Sequence, residues 1–284
     1  MGCSGTEDAL RRPNGVAVRP DGGIVVSDFL HSRLVVFDSD LAFERTIGRE
    51  GSGRNQLFRV FGLSVGADDA VFVVNRVPRP EGARGQRREW QVKKFVKARE
   101  ASVTVIGGED AWFEGIAPGP DGSLFLGNAG EGTLTMLDAD LAVATHLGPS
   151  GRPKTLTRSG DDLWVVYDNE HRVVRTTLTG RVTLDLGPDS THGRDLWFPS
   201  SVAVCPAGWV AVADLGNHRV QRFAFDGTLL GGFAPADAGP TQPLQLLDIG
   251  VSPDCERLYL VDSKGNRVLV TTVDGEVIRE LHAW

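Results

Sequence analysis

One short pattern recurs six times along this chain, and the recurrence limits the fold more than any other feature. Each copy has two short apolar runs separated by a turn, and the second run ends at a short polar residue. These polar residues are Asp28, Asn75, Asn128, Asp168, Asp214 and Asp262. Successive ones lie between 40 and 53 residues apart. With about four strands per unit, this period indicates a β-propeller.

The copy at residues 201–227 shows the unit most clearly. Its apolar runs at 202–204 and 210–212 are split by Pro-Ala-Gly, and a third, alternating run follows at 219–225. Short runs that are rich in Val and Phe and bounded by Gly, Pro and Asp are typical of antiparallel strands. Aligning the other five segments with this copy gives four strands in each. We therefore predict an all-β fold, a six-bladed β-propeller with four antiparallel strands per blade.

The order of the strands predicts how the ring closes. The first blade begins with its innermost strand, and the last blade ends with its outermost strand at residues 277–282. Closure therefore needs no strand swap between the termini. We expect one domain over residues 10–284, with residues 1–9 disordered or loosely attached.

Two stretches resemble the signature of the NHL repeat. They are residues 213–223, ADLGNHRVQRF, and residues 27–37, SDFLHSRLVVF. The lead-ins at 53–58 and 193–199 are similar to the inter-blade linker of the same family. The resemblance covers almost the whole chain and implies a six-bladed propeller that serves as a binding platform. It also leaves alternatives, since some NHL propellers bind RNA and similar six-bladed lactonases and lyases are enzymes.

Residues on either side of the second turn of each copy are expected to form pairs. Where the second strand ends in Asp the third begins with Arg, and where it ends in Asn the partner is uncharged. The pairs are Asp28/Arg33, Asp168/Arg172, Asp214/Arg219, Asp262/Arg267, Asn75/Trp90 and Asn128/Thr133. We interpret them as contacts that fix the turn, because an Asp in such a turn also accepts hydrogen bonds from backbone amides. His31, His171 and His218 recur in the same turns and are interpreted as turn residues rather than as a metal triad.

The second copy departs from the pattern in its second turn, which runs from 76 to 89. Its sequence, RVPRPEGARGQRRE, is rich in Pro and Gly and strongly basic. The arginines are Arg76, Arg79, Arg84, Arg87 and Arg88. Because loop insertions on a rigid scaffold often carry binding function, we predict that this basic loop binds a protein or a small anionic ligand. RNA is disfavoured, since the formal net charge of the chain is −7.

The mouth of the central channel is the second candidate site. The residues expected there are Asn14, Phe61, Glu114, Lys154, Ser200 and Asp248. Phe61 and Lys154 are candidate binding residues. Asn14, Glu114 and Asp248 supply oxygen ligands of the kind that Ca²⁺ or Mg²⁺ prefers, and the similarity to six-bladed gluconolactonases implies a divalent ion held in this way. Alternatively, Lys154 could satisfy these oxygens without a metal.

Other features narrow the range of functions. The chain has no apolar run of about 18 to 20 residues, and no nucleophile-elbow, His-Glu-x-x-His, P-loop or dinucleotide motif. The α-amidating lyases, which are similar to this family, need channel histidines, and His146, His192 and His282 are not placed to supply them. Three cysteines are too few for a disulfide framework. We expect free thiols, with a Cys205–Cys255 bridge as the less favoured alternative.

The N-terminus leaves the compartment open. Its Gly-Cys-Ser-Gly resembles the region around the modified cysteine of bacterial lipoproteins, but no apolar signal region precedes Cys3. We expect a cytoplasmic protein as the sequence stands, and a lipoprotein or secreted protein if the N-terminus has been trimmed.

The sequence therefore predicts a monomeric, non-enzymatic binding or interaction platform. It would use the face that carries the turns between second and third strands, together with the basic loop 76–89. The alternative is a divalent-metal-dependent hydrolase or lactonase, or a lyase, at the mouth of the channel. Ca²⁺ or Mg²⁺ in the channel is the only cofactor that the residues suggest.

Overall fold

The chain folds into a ring of six four-stranded antiparallel sheets, as predicted. The computed structural model describes residues 9–78, 89–108, 110–147, 151–188, 196–235 and 244–282. Within each sheet, the strands are hydrogen-bonded to one another in chain order. The six innermost strands contact their neighbours successively around the ring, and the sixth contacts the first. Radial stacking of this kind hides the faces of the sheets and leaves only short edges.

The first three blades occupy the N-terminal half of the chain. Blade one consists of β1 (Pro13–Val18), β2 (Ile24–Asp28), β3 (Arg33–Phe37) and β4 (Phe43–Ile47). Blade two consists of β5 (Val60–Val65), β6 (Val71–Val77), β7 (Glu89–Val96) and β8 (Arg99–Ile106). Blade three consists of β9 (Phe113–Pro118), β10 (Leu124–Asn128), β11 (Thr133–Leu137) and β12 (Val143–Leu147).

The last three blades repeat this order. Blade four consists of β13 (Pro153–Ser159), β14 (Asp162–Tyr167), β15 (Arg172–Thr177) and β16 (Val182–Asp185). Blade five consists of β17 (Pro199–Cys205), β18 (Trp209–Asp214), β19 (Arg219–Ala224) and β20 (Leu229–Phe233). Blade six consists of β21 (Leu246–Val251), β22 (Arg257–Asp262), β23 (Arg267–Thr272) and β24 (Val277–Leu281). Single 3₁₀ turns lie at Phe29–His31, Pro120–Gly122 and Leu215–Asn217.

The hydrophobic core lies between the blades. In the described part of the chain, each pair of neighbouring blades shares one buried cluster. Successive side chains of a strand point to opposite faces of its sheet. In β2, Ile24 and Val26 therefore pack against blade six, whereas Val25 packs against blade two. Because blade-to-blade contacts supply the core, the central channel does not have to be filled.

Buried aspartates close the second turn in three blades. The pairs are Asp28–Arg33, Asp214–Arg219 and Asp262–Arg267, with Oδ2 to Nε distances of 2.9, 2.8 and 3.1 Å. The Oδ1 atoms accept backbone N–H bonds from the linkers that precede these blades, donated by Arg11, Trp197 and Gln245 respectively. Each aspartate thus joins a linker to a turn, and three of the four predicted charged pairs are confirmed.

The fourth predicted charged pair, in blade four, is wrong. Tyr167 is the residue opposite Arg172, because Asp168 lies one residue beyond the end of β14. The Arg172 guanidinium lies over the Tyr167 ring, 5.0 Å from its centroid, and pairs with Asp185 at 3.1 Å. Asp168 instead pairs with Lys154 at 3.2 Å.

The uncharged pairs have a mixed outcome. Asn128 lies opposite Thr133, as predicted. Asn75 lies opposite Gln91, so the expected pairing with Trp90 is wrong by one residue. The error arises because β7 begins earlier than the apolar pattern suggests.

Cys205 and Cys255 form a disulfide, with Cα atoms 5.6 Å apart, so the expectation of free thiols at these two positions is wrong. Cys205 ends β17 of blade five, and Cys255 lies in the turn between β21 and β22 of blade six. These turns belong to neighbouring blades and lie on the face opposite the second turns. A spacing of 50 residues in the sequence does not by itself show this proximity.

Blade one and blade six close the ring without exchanging a strand, as predicted. The Leu10 amide donates to the His282 carbonyl at 2.9 Å, and the Leu10 side chain is buried in the cluster between these two blades. The chain is therefore attached from about this point, and residues 1–8 lie outside the described residues. None of the helical segments described is long and apolar enough to cross a membrane.

Candidate functional site

We call the face that carries the turns between second and third strands the turn face, and the opposite face the far face. The first strand of each blade begins at the turn face, and near this start its pairing with the second strand shifts register. Such β-bulges re-aim side chains. The residues at the shifts are Asn14, Phe61, Glu114, Lys154 with Thr155, Ser200 and Leu247. Two expectations therefore change: Asp248 is one residue deeper than assumed and lies opposite Val261, and Ser200 is fully buried.

A pocket of about 340 Å³ lies at the channel mouth on the turn face, and we call it the mouth pocket. It is lined by Arg12, Asn14, Phe29, Phe61, Glu114, Lys154, Thr155, Leu247 and Ser263. Phe29, Phe61 and Leu247 supply an apolar wall, and the remaining side chains are polar or charged. A concave site of this size with a few polar groups suits a small ligand.

Phe61 also belongs to a cluster of aromatic rings at the junction of blades one, two and three. The cluster comprises Phe29, Phe61, Trp90, Trp112 and Phe113. Phe61 contacts Phe29, Trp90 and Trp112 edge to face, at centroid distances of 5.4, 5.3 and 5.6 Å. The Trp90 indole also donates to the Ala111 carbonyl at 2.9 Å. Each edge-to-face pair adds about 0.5–1.5 kcal/mol beyond area burial, so Phe61 is held firmly in place.

Arg76 is the one arginine of the predicted basic loop that lies within the described residues. It lies within β6, because the ladder between β6 and β7 continues as far as Val77 and Glu89. Its guanidinium lies over Trp90 and Trp112, 5.2 and 4.6 Å from the ring centroids. Arg76 thus contributes to the aromatic cluster that supports the pocket. The other predicted loop residues, Arg79, Arg84, Arg87 and Arg88, lie outside the described residues.

Three charged side chains line the mouth pocket, and their partners differ. Lys154 pairs with Asp168, a partner that the sequence did not suggest. Glu114 accepts a hydrogen bond from the Trp112 indole through Oε1. The Arg12 guanidinium makes no hydrogen bond or ion pair with the rest of the described chain. The Arg12 guanidinium and one oxygen of Glu114 therefore remain available for hydrogen bonds to a ligand.

The channel continues below the mouth as a cavity of about 600 Å³, and Asp248 lies in its wall. The Asp248 carboxylate accepts hydrogen bonds from the Val16 amide at 2.8 Å, the Ile249 amide at 3.0 Å and the Ser201 hydroxyl at 2.5 Å. Burial raises the pKa of Asp248 to about 6, although these hydrogen bonds favour the charged form. A carboxyl group with this pKa can exchange a proton near neutral pH.

The predicted metal ligands Asn14, Glu114 and Asp248 line one cavity, but the protein already engages the polar atoms of Asn14 and Asp248 and one oxygen of Glu114. The Asn14 side chain accepts from the Ser27 hydroxyl and donates to the Val60 carbonyl at 2.8 Å. Across the ranges that the structure describes, no three His, Cys, Asp or Glu side chains form a group that could hold a metal ion. The set fits Ca²⁺ or Mg²⁺ only if hydrogen bonds are exchanged for coordination bonds.

A second aromatic group, which sequence reasoning missed, lies on the turn face between blades four and five. Trp197 stacks on His171 with 4.2 Å between ring centroids, and Phe198 packs edge-on against both. The Phe198 amide donates to His171 Nδ1 at 3.0 Å, so the neutral ring carries its proton on Nε2. His171 is thus a turn residue, as expected, with an additional packing role. The signal in the sequence was a Trp-Phe pair within a polar linker.

Five residues of the mouth pocket also escaped sequence reasoning, namely Arg12, Phe29, Thr155, Leu247 and Ser263. Phe29 directly follows Asp28 in the second turn of blade one, and this aromatic residue could have pointed to the pocket. Leu247 was hidden by the register shift at the start of β21. Arg12 lies in the lead-in of blade one and carries no motif.

Comparison with known families agrees with this architecture. The sequence model of the family described as the NHL repeat matches residues 10–37 and 196–223. These segments contain the lead-in, the first two strands and the signature turn of blades one and five. A comparison with curated protein sequences gives no match.

Solved structures with a similar fold cover nearly all of the chain. A streptogramin B lyase is 15% identical, with a TM-score of 0.65 over 98% of this chain and 85% of that chain. A catalytically inactive virginiamycin B lyase from Staphylococcus aureus, solved with quinupristin, is 14% identical, with a TM-score of 0.63 over 99% of this chain and 86% of that chain. The hydrazine synthase of Kuenenia stuttgartiensis is 13% identical, with a TM-score of 0.61 over 97% of this chain and 100% of that chain. At these identities, the similarity concerns the fold alone.

Proposed function

Because this chain is an NHL-repeat six-bladed β-propeller, we propose that it is a non-enzymatic binding protein that takes its ligand on the turn face, at the mouth pocket. The observation that carries the proposal is the lining of this pocket. An apolar wall, a carboxylate and the Arg12 guanidinium, which makes no hydrogen bond or ion pair with the described chain, share one cavity of about 340 Å³. A pocket with these features binds by apolar contact and orients its ligand by charge.

The surrounding scaffold supports a binding role. The aromatic cluster behind Phe61 and the stacked Arg76 fix the apolar wall before any ligand arrives. A site that is already ordered loses less conformational entropy on binding, so more of the contact energy appears as affinity. Rigid support of this kind is expected of a pocket that selects a ligand by its shape.

The mouth pocket can be probed with 8-anilinonaphthalene-1-sulfonate, whose rings and sulfonate match the apolar wall and Arg12. We expect one saturable site in a fluorescence titration. Leu247→Glu places a carboxylate in the pocket and should weaken binding at least tenfold, because the anionic probe would then meet a like charge. The matched control Val105→Ser removes an apolar side chain that is 60% exposed on β8 and should leave binding unchanged. Probe binding that is absent, or that survives Leu247→Glu, would contradict the proposal.

The basic loop extends this proposal to larger partners. Its other arginines follow Arg76 in the sequence, and the Arg76 guanidinium lies over Trp112 of the aromatic cluster that supports the pocket. An octaglutamate peptide should bind with a strong dependence on salt, and the triple substitution of Arg84, Arg87 and Arg88 by Gln should abolish that binding. Tighter, equally loop-dependent binding of oligouridylate would instead favour RNA as the partner.

A second candidate function is a lyase, or a divalent-metal-dependent hydrolase or lactonase, at the channel mouth. One observation favours it: the pKa of Asp248 is raised to about 6 within the channel, beside the Ser201 hydroxyl. Carboxyl groups with shifted pKa values concentrate at functional sites. The solved lyases share the fold but, at 14% and 15% identity, transfer no residue assignments.

A metal-binding measurement distinguishes the two candidate functions. Calorimetric titration with CaCl₂ and MgCl₂, together with metal analysis of the purified protein, should show a bound ion if the second candidate holds. Binding should then be lost in Glu114→Ala and in Asp248→Ala, and retained in Glu276→Ala, which removes an exposed carboxylate between β23 and β24. No metal binding, with intact probe binding at the mouth, would leave the non-enzymatic proposal as the better one.

The disulfide bears on the compartment. Disulfides persist in oxidising compartments and are rare in the cytosol, so the Cys205–Cys255 bridge supports the exported form over the cytoplasmic one. Thiol alkylation followed by mass spectrometry should find both cysteines unreactive in protein from its native compartment. Alkylation of both residues there would favour the cytoplasm.

A further inference from the structure

In the mouth pocket, the apolar side chain of Phe61 separates the two charged side chains that remain available to a ligand, Arg12 and Glu114. Arg12 leads into blade one, Phe61 belongs to blade two and Glu114 belongs to blade three. The inner strands of these blades are successive neighbours around the ring. A molecule that lies over Phe61 therefore has a guanidinium towards one end and a carboxylate towards the other.

The remaining charge in the pocket is already neutralised. Lys154 pairs with Asp168, and both side chains are about four-fifths buried. Arg12 makes no ion pair within the described chain. Glu114 has one oxygen on the Trp112 indole, and its other oxygen accepts no hydrogen bond from the described residues. The pocket thus offers one cationic and one anionic contact.

Both charged groups are attached to fixed parts of the structure. The Arg12 amide donates to Asn266 Oδ1 of blade six at 2.8 Å, which holds the backbone of this residue in its left-handed conformation. Glu114 is held through Trp112, whose ring packs against Phe61. A fixed carboxylate and a cation that is anchored through its backbone favour a ligand whose opposite charges are similarly separated.

We propose that the mouth pocket binds a small zwitterion with an apolar body, of the class represented by a dipeptide with free termini. This inference rests on the function proposed above. The ligand ammonium pairs with Glu114, the ligand carboxylate pairs with Arg12, and the apolar body lies against Phe61 and Leu247. A purely anionic ligand can pair with Arg12 but leaves Glu114 unpaired, and a purely cationic one leaves Arg12 unpaired, so each makes only one of the two charge contacts.

Leucyl-leucine and its two end-blocked forms test the assignment by calorimetry. We expect the free dipeptide to bind at least tenfold more tightly than N-acetyl-leucyl-leucine and than leucyl-leucine amide, because each block removes one hydrogen bond to a charged group. Glu114→Gln keeps an oxygen for Trp112 and should abolish only the preference for a free amine. Arg12→Gln should abolish only the preference for a free carboxylate. General damage to the pocket would not produce these two separate losses.

Matched controls lie on the far face. Glu276→Gln and Arg99→Gln change exposed residues beside the turns between third and fourth strands and should alter neither preference. Equal binding of the free and acetylated peptides, or an amine preference that persists in Glu114→Gln, would overturn the inference. If the anilinonaphthalene sulfonate binds at the mouth but leucyl-leucine does not, the zwitterion assignment fails and the binding function stands. If both probes are insensitive to Leu247→Glu, both proposals fail.

Discussion

Replacement of Asp214 by Asn tests whether the signature aspartate holds the fold together or binds a ligand. Asp214 is fully buried. Its donors include the Trp197 amide at 2.7 Å, Asn217 Nδ2 at 2.9 Å, Arg219 Nε at 2.8 Å and Gln221 Nε2 at 2.9 Å. An Asn at this position keeps one acceptor, which can serve the Trp197 amide. Its NH₂ group then replaces Oδ2 and faces donors instead of accepting from them.

The size of the effect follows from the burial of these donors. A hydrogen bond to a charged group contributes about 1.5–3 kcal/mol, and a buried donor left without its acceptor costs a similar amount. Gln221 is 4% exposed and cannot turn to solvent, whereas the Arg219 side chain is 37% exposed and can be partly rehydrated. We therefore expect Asp214→Asn to lower the free energy of unfolding by roughly 2–4 kcal/mol. Arg219→Gln should cost less, because Asp214 keeps its other donors.

Urea unfolding followed by circular dichroism, with the disulfide intact, measures these differences. The control is Asp274→Asn, whose side chain is 80% exposed and pairs with Arg222 at 2.7 Å. Exposed pairs contribute about 0–1 kcal/mol, so this variant should remain close to the parent protein. Binding of the anilinonaphthalene sulfonate at the mouth should be unchanged in Asp214→Asn under conditions where it is folded. A cost no larger than that of Asp274→Asn, together with lost probe binding, would refute the structural interpretation.

Three further predictions concern other parts of the ring. Substituting Cys205 and Cys255 by Ser opens a loop of 50 residues. It should lower the free energy of unfolding by about 2–4 kcal/mol, since the chain-entropy estimate for such a loop is about 4 kcal/mol. An unchanged midpoint of urea unfolding would contradict the presence of the disulfide. Burial raises the pKa of Asp248 from 3.8 to about 6, so the native state binds a proton more tightly than the unfolded state does. The stability that this group contributes is therefore present below about pH 4 and is lost as the pH rises to about 6. This pH dependence of the free energy of unfolding should be absent in Asp248→Asn, and a rise in stability over the same interval would contradict it. Lys93→Met removes the ion-pair partner of the buried Glu100, 2.8 Å away, and should lower the free energy of unfolding by about 3–5 kcal/mol. A melting temperature equal to that of the parent protein would show that the pair is dispensable.

The fold could be predicted from the sequence because its determinants are local. Apolar runs of about five residues, turn residues between them and a polar residue at the end of each second strand identify a blade without reference to any other blade. Asp28, Asp214 and Asp262 occupy equivalent buried positions, and the pairs with arginine followed from that equivalence. Closure without a strand swap followed from counting strands at the two termini.

The errors share a different cause, which is a shift of a single residue. Asp168 follows its strand instead of ending it, Asn75 opposes Gln91, and Asp248 lies one residue beyond the register shift of β21. At Asp248 the cause is a β-bulge, which adds a residue without changing the apolar run on either side. The ladders beside Asp168 and Asn75 are regular, and there the strand ends do not coincide with the polar residue. The proximity of Cys205 and Cys255 was hidden for another reason, since it depends on how neighbouring blades pack.

The contrast between repeated and unrepeated positions explains why the mouth is the better candidate for function. In five blades, a buried Asp or Asn at or near the end of the second strand accepts a backbone N–H from the linker that precedes the blade. The positions at the register shifts have no such common task, and their residues differ in every blade. They are Asn14, Phe61, Glu114, Lys154 with Thr155, Ser200 and Leu247. Ring closure thus requires similar side chains at the turns and leaves those at the mouth free to differ. A ring with sixfold architecture can therefore present an asymmetric pocket, and the cation of Arg12 and the carboxylate of Glu114 make that asymmetry chemically specific.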